Sequence, residues 1–271
     1  LNSQKKVRKE TLDAINKAFD GGKEVILCTG RALAELEEYI ELIPRMRYIV
    51  MTSGAIVYDI KEKKDIYANI KDKTEFDKIL KAQQIAEKAY NEILNYIKDK
   101  DIMPQMITKE SIVQKKDYEH MEDFHMGIYK PMFNEVAVKV ENMLDFYNDN
   151  KQPVAKLNLY HTSSEDREET RKAIEGLDVV LANAETTSLE ISAKNTTKGL
   201  GLQKLCEHLG ISIDEAIAVG DADNDLDVLK RAGLSVAMGN ANDNVKKIAD
   251  VVVEDCDHDG CVQAIEKYLL L

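Results

Sequence analysis

The chain has 271 residues, 44% of them hydrophobic, enough to bury a large core and long enough to divide into two ordinary domains. Its 37 basic and 49 acidic residues give a formal net charge of −12, which argues against nucleic acid or an anionic membrane as the main partner. No apolar run is long enough to span a bilayer and no apolar signal segment opens the chain, so a soluble, cytoplasmic protein is expected.

Leu1 opens directly onto the turn-like Asn2-Ser3-Gln4 with no strand before it, and we expect the true start to lie upstream. Helical spacing over Val7–Phe19 ends at Gly21-Gly22. A β-rich run, Glu24–Cys28, leads through Thr29-Gly30-Arg31 into a helix expected over Ala32–Leu42. Such a strand, hydroxyl turn and helix could grip a phosphate oxygen; equally, Thr29 could be a plain N-cap and Gly30 a tight-turn residue. Strand Tyr48–Met51 runs into Thr52-Ser53-Gly54, then Ala55–Tyr58, and Lys61–Lys64 reads as a solvated hairpin turn.

From about Thr74 the pattern changes. Phe76, Ile79, Leu80, Tyr90, Ile93, Leu94 and Ile97 recur at threes and fours, which predicts one long amphipathic helix. Met103–Met132 is barely readable. A helix is expected around Val136–Tyr147, a strand over Val154–Tyr160, a charged helix over Glu165–Ile174, and strands at Val179–Ala182 and Ser188–Ile191. Elements that do not alternate as βα units predict an α+β domain, residues 78–188, inserted into a parallel-sheet α/β core of residues 1–77 and 189–271. The core then resumes with helix Lys198–Leu209, strand Ala216–Val219, strand Ser235–Met238, helix Asn242–Ala249, strand Val251–Val253 and helix Cys261–Leu269.

The most informative stretch follows Val219. Gly220 ends the strand, and Asp221, Asp223, Asp225 and Asp227 stand at alternate positions after it. Like charges so crowded repel, and a hard cation at the carboxyl end of a buried strand relieves them. Helix capping explains one or two of the four. A calcium loop of the helix-loop-helix kind fails, because Leu226 and Ala232 occupy the places that need Gly and Glu. Cys28, Cys206, Cys256 and Cys261 form no C-x-x-C pair and the histidines no zinc spacing, so buried free thiols are expected.

With these pieces placed, the chain resembles the haloacid-dehalogenase-like hydrolases, in the Cof-type sugar-phosphatase branch with a large α/β cap. The residues that carry the likeness are Cys28-Thr29-Gly30-Arg31, Leu189-Glu190-Ile191 through Lys198-Gly199, Val219–Asp225, Ala237–Ala241 and Asp259–Val262. The resemblance implies a Rossmann-like core and a Mg²⁺-dependent phosphohydrolase of small phosphorylated metabolites, acting through an aspartyl-phosphate. It implies that Thr29 donates its hydroxyl to the phosphoryl group beside the backbone of Gly30, and that Lys198 neutralises the phosphoryl oxygens. Asp221 would bind Mg²⁺, Asn224 contact the phosphate, and Asp225 support the metal. A lysine at a helix start is otherwise an ordinary exposed residue, yet cations are disfavoured there, a small point for function.

Departures accompany the match. The family's first motif, Asp-x-Asp-Gly-Thr, which supplies the nucleophile, is absent from these residues, and Leu1-Asn2-Ser3 looks like what would follow it. We therefore expect the nucleophile and the first core strand to lie upstream. Ser53 stands where the family often has Asn, and Asn195 where it often has Gly. Two other readings stay open: a non-catalytic phosphate- or metabolite-binding relative without the first motif, and a phosphomutase. A nicotinamide-dependent oxidoreductase is disfavoured because no G-x-G-x-x-G follows a strand.

Overall fold

A computed structural model describes residues 1–66, 87–108, 110–150, 154–194 and 196–270. In chain order its strands are β1 (Leu27–Cys28), β2 (Tyr48–Met51), β3 (Ile56–Asp59), β4 (Lys64–Asp65), β5 (Ile102–Ile107), β6 (Ser111–Gln114), β7 (Ala137–Val140), β8 (Lys156–His161), β9 (Val179–Asn183), β10 (Ser188–Ala193), β11 (Ile217–Gly220), β12 (Leu234–Ala237) and β13 (Val251–Val252). The chain divides into two compact units. The first comprises Leu1–Thr29, Glu38–Asn69 and Thr197–Leu271, the second Gly30–Glu37 and Ile70–Thr196.

The first unit is α/β. β1 runs parallel to β2, and β2, β3 and β4 continue antiparallel. β11, β12 and β13 form a separate parallel sheet. Helix Lys198–Leu209 serves both sheets: Leu205 packs with Tyr48, Val50 and Val57, while Leu202 and Cys206 pack with Ala218, Leu229 and Val245. Its ends are written in the sequence. The Thr197 side chain accepts the Leu200 N–H, and Gly210 closes the helix at φ 71°. Among the described residues β1 pairs on one side only, with β2, and β11 on one side only, with β12.

In the second unit a six-stranded sheet has the order β7-β6-β5-β8-β10-β9, parallel between β6 and β7 and otherwise antiparallel. Helices Glu87–Ile97 and Met143–Asn150, with Ile174 of helix Ser164–Ile174, bury Tyr90, Ile93, Leu94 and Tyr147 against Met106, Leu157, Leu159, Leu189 and Ile191. Strand alternation puts Lys156 and Asn158 of β8 and Glu190 of β10 on the opposite face.

Several expectations need correction. β5 was hidden by Pro104, a residue that normally ends a central strand. Here β6 pairs only from Gln105 onward, so the missing N–H of Pro104 interrupts no second ladder. The helix expected over Val136–Tyr147 is instead β7 followed by helix Met143–Asn150. Asn142 makes the break by accepting the N–H groups of Leu144 and Asp145. The helix expected over Ala32–Leu42 is a 3₁₀ turn, Leu33–Glu35, and a short α-helix, Glu37–Leu42. β1 is shorter than Glu24–Cys28, and the last helix gives way at Ile265 to a π turn. The boundary expected at 188/189 falls at the first residue of β10, which pairs with β8 and β9. Residues 74–86 of the expected long helix, and Asn195, lie outside the described residues.

Candidate active site

The acidic turn leaves the carboxyl end of β11 as a 3₁₀ turn, Asp223–Asp225, and runs into helix Leu226–Arg231. Gly220 makes the turn possible: a Cβ there would stand 2.6 Å from that of Asp225. Asp225 therefore folds back under the strand end, and its Oδ2 accepts the N–H groups of Asp221 (3.0 Å) and Ala222 (3.3 Å). Its Oδ1 accepts from Lys198 Nζ at 2.7 Å, and both side chains are buried. A lysine at the first position of a helix thus finds its partner across the fold.

The other three carboxylates divide their tasks. Asp227 holds Arg231 Nε at 2.9 Å and the Thr197 hydroxyl, fixing the N-cap of the Lys198 helix. Asp223 Oδ1 accepts from Asn242 and Asn244 at 3.0 and 3.1 Å. Asp221 Oδ2 accepts from Asn240 Nδ2 at 3.1 Å, and its other oxygen meets no hydrogen-bond donor among the described residues. Mutual repulsion within the row is therefore relieved mainly by Lys198, Arg231 and three asparagines, and Asp221 is the least compensated of the four. Although Asp221 itself reaches solvent, protein crowds around it, and this desolvation together with the Asp225 carboxylate holds its pKa above the ordinary carboxylate value. Lys198 and the Asn240 hydrogen bond pull the other way.

Thr29 and Asn224 are the other expected phosphate-binding residues of this unit. Thr29 leaves β1 with its N–H on Val50 O at 2.8 Å and its carbonyl on Ser53 N–H at 2.9 Å. The holding turn is strained: Thr52 and Ser53 have φ of 52° and 55°, and Gly54 has 94°. A Cβ on Gly54 would lie 1.9 Å from Thr197 O, so only glycine lets this turn lie against the start of the Lys198 helix. Cys28 Sγ lies 4.0 Å from Lys198 O. Burial, and then the Asp225 carboxylate against the opposing pull of Lys198, pushes its thiol up to about 12. Asn224 sits half-buried in the middle of the 3₁₀ turn. Gly30 follows Thr29 and groups with the second unit. The sequence quoted Asn240 within Ala237–Ala241 but gave it no task, and Thr197 and Ser53 likewise; only their contacts reveal what they hold.

Among the described residues no three His, Cys, Asp or Glu side chains converge as a complete metal set. Magnesium asks for less, since it is commonly held by one or two carboxylates with water and phosphate oxygens completing the shell. An Asp221 oxygen without a donor, in a place that disfavours its charge, fits one such ligand. Both Asp225 oxygens already hold protein donors, which suits a support acting through water.

Residues 1–265 match the haloacid dehalogenase-like hydrolases, and the chain belongs to that family, in its Cof-type branch. Among known proteins it is 24% identical to phosphatase YwpJ of Bacillus subtilis, over 100% of this chain and 96% of that protein. To 5-amino-6-(5-phospho-D-ribitylamino)uracil phosphatase YitU of the same organism it is 26% identical, over 100% and 94%. A solved structure of a subclass IIB sugar phosphatase of the haloacid dehalogenase superfamily superposes with a TM-score of 0.78 at 21% identity, covering 98% of this chain and 93% of that one. That likeness fixes the fold: an α/β core with an inserted cap. No helix among the described residues is long and apolar enough to cross a membrane.

Proposed function

We propose that this protein is a Mg²⁺-dependent phosphatase of small phosphorylated metabolites, such as sugar phosphates or phosphorylated cofactors. The carrying observation is the linked set Lys198–Asp225–Asp221 at the end of β11, with Cys28-Thr29 beside Lys198. Relatives named as phosphatases over the whole chain length support the same class. Phosphoryl transfer asks chiefly for positioning and for cations facing the oxygens that gain charge. Thr29 would donate its hydroxyl, and Gly30 its N–H, to the phosphoryl group. Lys198 would neutralise the phosphoryl oxygens, and Asn224 would bind one of them. Asp221 would hold Mg²⁺ directly and Asp225 through water; the ion would offset the charge repulsion between the phosphate and its attacker.

The attacking carboxylate is proposed to come from a segment preceding Leu1, as a strand lying between β1 and β11. Two observations support that position. Both strands are parallel to their single neighbour and pair on one side only among the described residues. Val219 of β11 is 40% exposed in an otherwise apolar strand. Assay of the full-length gene product against a panel of phosphorylated sugars and cofactors, with and without Mg²⁺, tests the proposal. Metal-dependent release of phosphate is expected; no release from any ester would reject it.

A further inference from the structure

The face of the six-stranded sheet opposite Leu157 and Ile191 carries buried Gln105, Lys156, Asn158 and Glu190. Burying an ammonium costs several kcal/mol unless it is well partnered, so Lys156, 1% exposed, needs a reason to be there. Its Nζ lies 2.8 Å from Glu190 Oε1 and donates to the carbonyl of Gly30 at 3.2 Å. Register sets the pair: Asn158 faces Glu190 and Lys156 faces Ser192, so the two charges meet on the diagonal between adjacent strands. A second tie holds the same segment. Gln105 Nε2 donates to Glu35 Oε1 at 2.7 Å, while Glu35 Oε2 accepts the Ala32 N–H at 2.9 Å.

Gly30 follows Thr29, whose carbonyl is fixed by the Ser53 N–H. A peptide unit is planar and trans here, so holding the Thr29 carbonyl aims the Gly30 N–H the opposite way. Holding the Gly30 carbonyl does the same for the Arg31 N–H. Successive N–H groups fixed in this manner are the parts of an anion cradle. We propose that Lys156, itself anchored by Glu190, is a positioning residue for the Thr29-Gly30-Arg31 turn. It keeps the turn's donors aimed so that they meet a phosphoryl group without reorganising at the moment of reaction. This rests on the phosphatase reading and adds to it a positioning role for Lys156 through the Gly30 carbonyl.

The test compares full-length wild type with K156M/E190Q, which removes both buried charges together and so is expected to stay folded. With p-nitrophenyl phosphate, kcat is expected to fall at least about tenfold while KM stays within about threefold, a transition-state loss without a binding loss. Inhibition by orthovanadate should weaken by a similar factor, and amides at residues 29–33 should exchange faster while those of β8–β10 do not. If that variant fails to fold, K156Q/E190Q, whose shorter amide cannot reach Gly30, replaces it with the same expectations. If neither folds, wild-type exchange with and without orthovanadate decides: Gly30 and Arg31 amides that gain protection when vanadate binds support the role, and vanadate binding with no such gain overturns it. A folded variant with kcat and vanadate inhibition within about twofold of wild type also overturns it. Wild-type protein that neither hydrolyses esters nor binds vanadate would instead defeat the phosphatase reading, and the positioning role with it.

Discussion

Lys198→Met removes the buried ammonium while keeping most of its apolar stem. In the native protein Nζ stands 2.7 Å from Asp225 Oδ1, with the two side chains 7% and 10% exposed. The substitution leaves a buried carboxylate with only neutral donors, and breaking one side of such a pair costs about 3–5 kcal/mol. Because two backbone N–H groups still serve Asp225 Oδ2, the low end applies, about 3 kcal/mol. For a chain of this size that lowers the melting temperature by roughly 6–12 °C. Adding Asp225→Asn removes the stranded charge, so the double variant should recover most of the stability and none of the phosphatase activity, since the cation is still gone. Thermal denaturation with a parallel hydrolysis assay measures both. K198M melting within about 2 °C of wild type, or activity returning with stability in the double variant, would refute the reasoning.

Three further outcomes are expected. Gly54→Ala places a Cβ 1.9 Å from Thr197 O at a φ of 94°, so it should destabilise by more than about 3 kcal/mol; an unchanged denaturant midpoint would contradict the close approach described. His161 is fully buried with Nδ1 on Thr187 O, and burial, opposed by that hydrogen bond, holds its pKa below the ordinary 6.5. The folded protein keeps it neutral while the unfolded chain takes up a proton, so stability should decline as pH falls below 6.5; His161→Asn should flatten that decline in denaturant titrations, and an equally steep slope in the variant would remove the assignment. Cys28, its thiol pushed up to about 12, should resist alkylation in the native protein at mildly alkaline pH; modification as fast as in the unfolded chain would show that it is not desolvated.

Much of the core was legible because its signals are local. Gly210 closes the Lys198 helix directly after its apolar stripe, and the Ala216–Val219 run is short, apolar and closed by Gly220. The inserted sheet was less so. β5 is buried on both faces and shows no alternation, and Pro104 within it is acceptable only because of where β6 begins to pair. The site divided in the same way. The aspartate row announced itself through charge at a strand end and Lys198 only through the family resemblance, but the sharing of work within the acidic row could not be read locally. Asp227 serves Thr197 and Arg231, Asp223 serves two asparagines, and Asp225 serves a lysine 27 residues away in sequence. Likewise nothing in the spacing of Gly30 and Lys156, 126 residues apart, suggests that they meet.

The most direct test is Mg²⁺-dependent hydrolysis of p-nitrophenyl phosphate by the full-length protein carrying Asp221→Asn, measured across a magnesium titration. The side chain keeps its size and its neighbour Asn240 but loses the charge that would hold the ion. A fall in turnover of at least about 100-fold, with a fold still melting near wild type, is expected. Turnover and magnesium dependence equal to wild type would contradict a metal-assisted phosphatase centred on Asp221.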